Sequence, residues 1–191
     1  MNHYQVNTID EISPMYSEDL KSIKASLIWL KEDDLNLMVF YQTKKGETGS
    51  VYSPNIPGGN FGDLEEFPHI ACGESGIDDE PSEVVFYDKI NINKLAPFSK
   101  VYFVATDYAK LVLKKQINFN EYQGTLKLNP RYNVQREDRY TIRLTSEEKG
   151  DFLVIGEIEI GESIYMLKNI NKAMTLEEFR EKIPGAKKVT F

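Results

Sequence analysis

The chain has 191 residues, 41 % of them hydrophobic and 28 % charged, with a formal net charge of −7. That length supports one well-buried core and leaves little room for two large domains, and the acidic balance works against non-specific attraction to nucleic acid or anionic lipid. The single cysteine excludes an intrachain disulfide framework.

The N-terminus, Met-Asn-His-Tyr-Gln-Val-Asn, lacks the basic and apolar regions of a secretory signal. No apolar run approaches the roughly 18 residues of a membrane span. The default expectation is a cytoplasmic protein without a membrane span, consistent with one unpaired cysteine in a reducing compartment.

In chain order, residues 1 to about 20 are polar and broken by Pro14, which predicts a loose lead-in segment or an edge strand. Ser26 to Leu30 is a short apolar run suited to a buried strand. From Asp34 onwards Leu35, Leu37, Val39 and Tyr41 alternate with Asn36, Met38, Phe40 and Gln42. Past the first turn both faces are largely apolar, so a strand covered on each side is expected. Thr43 to Gly49 reads as a hairpin loop leading to a short strand over Ser50 to Ser53.

Pro57-Gly58-Gly59-Asn60-Phe61-Gly62 reads as an irregular crossover. Phe67 to Cys72 is a short extended piece, followed by an acidic loop, Glu74 to Glu80, and a strand from Glu83 to Lys89. Lys100 to Asp107 has the apolar continuity of a central strand. Tyr108 to Phe119 is ambiguous between a helical turn and a loop. Further strands are predicted over Gly124 to Leu128, Arg139 to Leu144, Phe152 to Ile160 and Ser163 to Asn169. One helix is expected, over Leu176 to Lys182, with Thr175 as N-cap, Glu178 completing a capping box and Pro184-Gly185 as the stop. About ten short strands and one late helix predict an all-β, two-sheet β-sandwich with a short C-terminal helix.

Oxygen donors gather at two places. Asp34 and Asn36 stand two apart at the start of a strand, about 6.6 Å between Cα atoms if extended. Glu74, Asp78, Asp79 and Glu80 follow some forty residues later, with Gly73 and Gly76 allowing backbone carbonyls to turn inwards. Calcium takes six to eight oxygens from carboxylates, amides, backbone carbonyls and water. These six side chains are therefore the candidate metal ligands, and the competing reading is a solvated acidic loop.

Other motifs read as ordinary structure. His69 and Cys72 are too few for a structural zinc site without carboxylates and poorly spaced for a nucleophile–base pair. Arg131, Arg136, Arg139 and Arg143 are interrupted by Glu137 and Asp138, which favours an ordinary strand-and-loop surface. Trp29 reads as core. The glycine-rich crossover is no dinucleotide fingerprint. No nucleophile, base and orienting group stand out as a set, so a non-catalytic protein is expected.

The chain resembles the TerD-like family of tellurium-resistance and general stress proteins, most of all its TerA-type branch. Asp34-Leu35-Asn36-Leu37, followed by Phe40-Tyr41, stands where that branch has an Asp-Leu-Asp-Leu strand with apolar and aromatic residues after it. Gly58, Phe61, Gly62, Glu66, Pro68 and Ile70 occupy matching places in the next segment. Gly73-Glu74-Ser75-Gly76 with Asp78-Asp79-Glu80 is similar to the acidic loop, in a shorter form with Glu74 and Asn36 each replacing an aspartate. Val101 to Thr106, Gln116 to Phe119 and Phe152 to Glu157 are similar to later strands and segments, so the likeness spans residues 20 to 170. It implies a single TerD-like sandwich domain over 21–191, calcium held by acidic loops, and a non-catalytic stress-response role exerted through other proteins of a stress-response complex. The alternative is a metal-free sandwich that binds a protein or small ligand.

Overall fold

The computed structural model describes residues 4–79 and 84–190. Thirteen strands are formed among them: β1 (Tyr4–Thr8), β2 (Ile12–Met15), β3 (Leu20–Trp29), β4 (Asn36–Thr43), β5 (Thr48–Val51), β6 (Gly62–Asp63), β7 (Ile70–Asp79), β8 (Val84–Ile92), β9 (Phe98–Thr106), β10 (Thr125–Tyr132), β11 (Glu137–Arg143), β12 (Phe152–Ile160) and β13 (Tyr165–Met174). Two short helices accompany them, α1 (Tyr108–Val112) after β9 and α2 (Leu176–Lys182) after β13. The strands form a seven-stranded sheet ordered β1-β11-β10-β3-β8-β7-β6 and a six-stranded sheet ordered β2-β13-β12-β9-β4-β5. The all-β sandwich with a short C-terminal helix is thus the observed architecture.

Alternation along the strands builds the main core between the sheets. Ile23, Ala25, Leu27 and Trp29 of β3 and Ile90 and Ile92 of β8 face Leu37, Val39 and Tyr41 of β4 and Val101, Phe103 and Ala105 of β9. The opposite faces of β4 and β9 are apolar too. Met38, Phe40, Tyr102 and Val104 join Phe152 and Val154 in a second core on the outside of the six-stranded sheet. α2 closes it: Phe179 stacks on Phe152 at 4.2 Å between ring centroids and meets Phe40 edge-on at 5.0 Å. This is why β4 is apolar on both faces.

The capping box of α2 forms as the sequence predicts, with the Thr175 hydroxyl accepting from Glu178 N and the Glu178 carboxylate accepting from Thr175 N. In β12 a bulge between Val154 and Gly156 shifts the alternation, so Leu153 and Ile155 face the main core and, past the extra residue, so do Ile158 and Ile160.

Two expectations are refined. The N-terminal stretch is extended, with β1 running parallel to β11 at one sheet's edge and β2 at the edge of the other. Pro14 lies in this edge strand, where a missing N–H is tolerated. The expected acidic loop is not a loop up to Asp79. Residues 70–79 form β7, which pairs with β8 and absorbs a bulge between Cys72 and Ser75. In the crossover before it, Gly62 has φ +71°, and a Cβ there would strike the Ile70 carbonyl.

Candidate functional site

At one end of the sandwich the β3–β4 turn, β7, β8 and α1 enclose a groove of about 830 Å³. Trp29 begins its wall. The indole Nε1 donates to the Asp33 carbonyl at 2.7 Å, fixing the turn that carries Asp33 and Asp34. Trp29 also stacks on Phe86 of β8, with centroids 6.1 Å apart.

Asp33 is held by two lysines, Lys31 at 3.0 Å and Lys110 at 3.1 Å, and the Lys31 contact leads in holding its carboxyl below the usual range. Lys110 Nζ also donates to the Tyr122 hydroxyl at 2.7 Å, and that buried hydroxyl donates to Asp107 at 2.6 Å. Asp107 is buried and caps α1 by accepting from Lys110 N at 3.1 Å. Asp33 and Asp107 are therefore committed to holding the turn against α1.

The remaining acids are different. Asp34, exposed at the groove mouth, and Asp88, half-buried in its floor, have no lysine or arginine partner among the described residues. Desolvation, then the nearby charge of Asp107, raise the Asp34 carboxyl. Burial pushes Asp88 up to about 6, against the opposing pull of the backbone donors Leu37 N–H, at 2.7 Å, and Lys89 N–H; the charge of Asp34 adds to the rise. Two neighbouring acids without a base between them favour a positive visitor. Asn36 lines the same groove, and its Oδ1 accepts from Tyr108 N at 3.2 Å.

Of the expected ligands, then, the structure brings Asp34 and Asn36 to one groove. Asp34 lies just before β4 rather than within it. Glu74 is exposed at the β7 bulge. The backbones of Asp78 and Asp79 pair with Val85 and Val84, three and four residues beyond the Ser75–Asp88 pair, or about 10 Å and more along the strand. Glu80 lies outside the described residues. Ser75, Gly76 and Ile77 are the part of the acidic stretch that lines the groove.

Asp88 escaped the sequence reading although its parity announces it. Phe86, Ile90 and Ile92 face the interior, and the aspartate at 88, second in that alternating series, marks a carboxylate aimed inwards. Asp107 was not singled out either; an aspartate directly before an ambiguous helical turn is the N-cap signal that could have found it.

The donor set is sparse for calcium. No group of three or more His, Cys, Asp or Glu placed to hold a metal occurs among the described residues. Two carboxylates and an amide oxygen fit a weak, largely hydrated calcium site and not a tight cage. Elsewhere, Cys72 and His69 do not form a pair. The Cys72 thiol contacts the Asn60 carbonyl at 3.7 Å and is pushed up to about 11 by burial, and His69 Nδ1 faces the Leu64 carbonyl at 3.2 Å. Arg136 is bound to buried Asp138 at 2.6 Å.

The fold and this groove define a two-sheet sandwich with an acidic, aromatic-walled cleft at one end. Compared with protein-family models, curated proteins and solved structures, the chain matches none of them. Among the described residues no helix is long and apolar enough to cross a membrane.

Proposed function

We propose that the protein is a non-catalytic, cytoplasmic calcium-binding sandwich that acts through partner proteins in a stress response of the TerD-like kind. The cation sits at the groove mouth on Asp34, Asn36 and Asp88, with water and backbone carbonyls completing its shell. The observation that carries this reading is the pair Asp34 and Asp88, which line one groove with no lysine or arginine partner for either among the described residues. The stress-response role rests on the sequence resemblance alone. Low ligand charge puts the affinity at the weak end for calcium, with a Kd on the order of 0.1–1 mM.

Isothermal titration of the chelated protein tests this. Calcium binding at one site, lost in Asp34→Asn, supports it; heat no greater than dilution at about 10 mM calcium, well above that Kd range, overturns it.

A second reading, a metal-free module for a protein or small ligand, is favoured by the groove's apolar side. Ile77, Val112 and Leu113 line it while 60 %, 61 % and 64 % exposed, an unusual concentration of bare aliphatic surface beside a cleft.

A further inference from the structure

Among the described residues, the edge of β7 that faces away from β8 has no paired strand for much of its length. β6 pairs only with Ile70 and Ala71, and the Phe61 carbonyl accepts from Cys72 N at 2.8 Å. From Gly73 to Ile77 no strand among the described residues covers that edge. Open edges are usually blunted by lysine, proline or brevity, because their unpaired N–H and C=O groups recruit other strands. This one has no lysine and no proline, and it carries exposed Ile77. Its protection is acidic: exposed Glu74 on this strand, with Asp34 and Asp88 in the groove beside it, disfavours pairing with a second copy of itself and favours a basic strand instead.

We propose that this edge and the adjoining groove receive an extended segment of a partner protein, added beside β7 and bearing a basic residue two positions from a branched apolar one. The pattern follows from the register. Ser75 pairs with Asp88 and Ile77 with Phe86, so these four side chains share the face that opens on the groove. A strand laid beside β7 turns every second residue to that face. The residue opposite Ile77 covers Ile77 and approaches Phe86. The residue opposite Ser75 looks across a small hydroxyl towards Asp88, two strand spacings or about 9.6 Å away. A lysine or arginine and a carboxylate leaning towards each other span that gap; shorter side chains do not. Asp34 adds a second negative charge at the mouth. The inference rests on Asp34 and Asp88 being open to a cation, as above, but not on calcium being that cation.

The test is selection from a phage-displayed library of heptapeptides in which threonine alternates with randomised residues, followed by fluorescence anisotropy of the enriched sequence. Enrichment of Lys or Arg two places from Val, Ile or Leu is expected. The enriched peptide should lose at least ten-fold in affinity when its basic residue becomes Glu or when its edge-facing amides are N-methylated. Asp34→Asn and Ile77→Thr change exposed positions, so the fold should survive, and each should weaken binding several-fold. No enriched pattern, equal binding by the N-methylated peptide, or a dimer of the free protein in sedimentation would overturn the proposal. Calcium titrated in parallel separates the two readings. A calcium response without peptide binding defeats this inference alone, and peptide binding unaffected by calcium defeats the calcium site alone.

Discussion

Asp88 concentrates the chemistry of the groove in one side chain. Its carboxyl titrates near 6 in the fold, raised mainly by burial, against about 3.9 in an unfolded chain. Between those values the native state holds a proton that the unfolded state has released. The Asp88 contribution is therefore most favourable below about pH 4 and declines as pH rises through 6. In chelator, urea unfolding of Asp88→Asn should lack that decline, so the wild type should lose stability relative to the variant from pH 4 to pH 7. Asp88→Ala should fall about 1–3 kcal/mol below Asp88→Asn at pH 7, because alanine leaves the buried Leu37 N–H without an acceptor. At the neighbouring network, Tyr122→Phe removes the hydroxyl that joins Lys110 to Asp107. A loss of about 1–3 kcal/mol in the same assay is expected.

At the scale of elements, α2 stands on two independent supports. Thr175→Ala should cost about 1 kcal/mol through the lost cap. Phe179→Ala should cost about 3–5 kcal/mol by opening the second core between Phe40 and Phe152. Thermal melts of both variants read these directly. This helix was legible in the sequence because cap, stop and apolar spacing agree, and β9 and β12 were legible because their apolar runs are long. β7 was not. Its glycines, acids and bulge hide the period of two, and what keeps it extended is pairing with β8, a tertiary effect that local composition does not carry. The edge strands β1 and β2 show no sustained apolar alternation for a related reason: each sits at the margin of its sheet. Part of the site was readable as well. Asp34 and Asn36 stood out as donors, whereas Asp88 is visible only once β8 is assigned its inward face.

For the whole molecule, the sandwich brings the β3–β4 turn beside strands some forty to fifty residues further on, and net charge −7 leaves the groove acids no surplus of bases to meet. A bound cation should therefore stabilise the fold as a whole and not one loop. With a Kd of about 0.1 mM, about 10 mM calcium adds roughly 2.7 kcal/mol. For a chain of this size that corresponds to a rise in Tm of roughly 5–10 °C. The deciding measurement is the melting temperature of the wild type, Asp34→Asn and Asp88→Asn, each in EDTA and in about 10 mM calcium at pH 7. A rise of several degrees in the wild type that both substitutions abolish is the predicted result. Equal melting in EDTA and calcium, or a rise that survives both substitutions, would contradict a cation held by these two carboxylates.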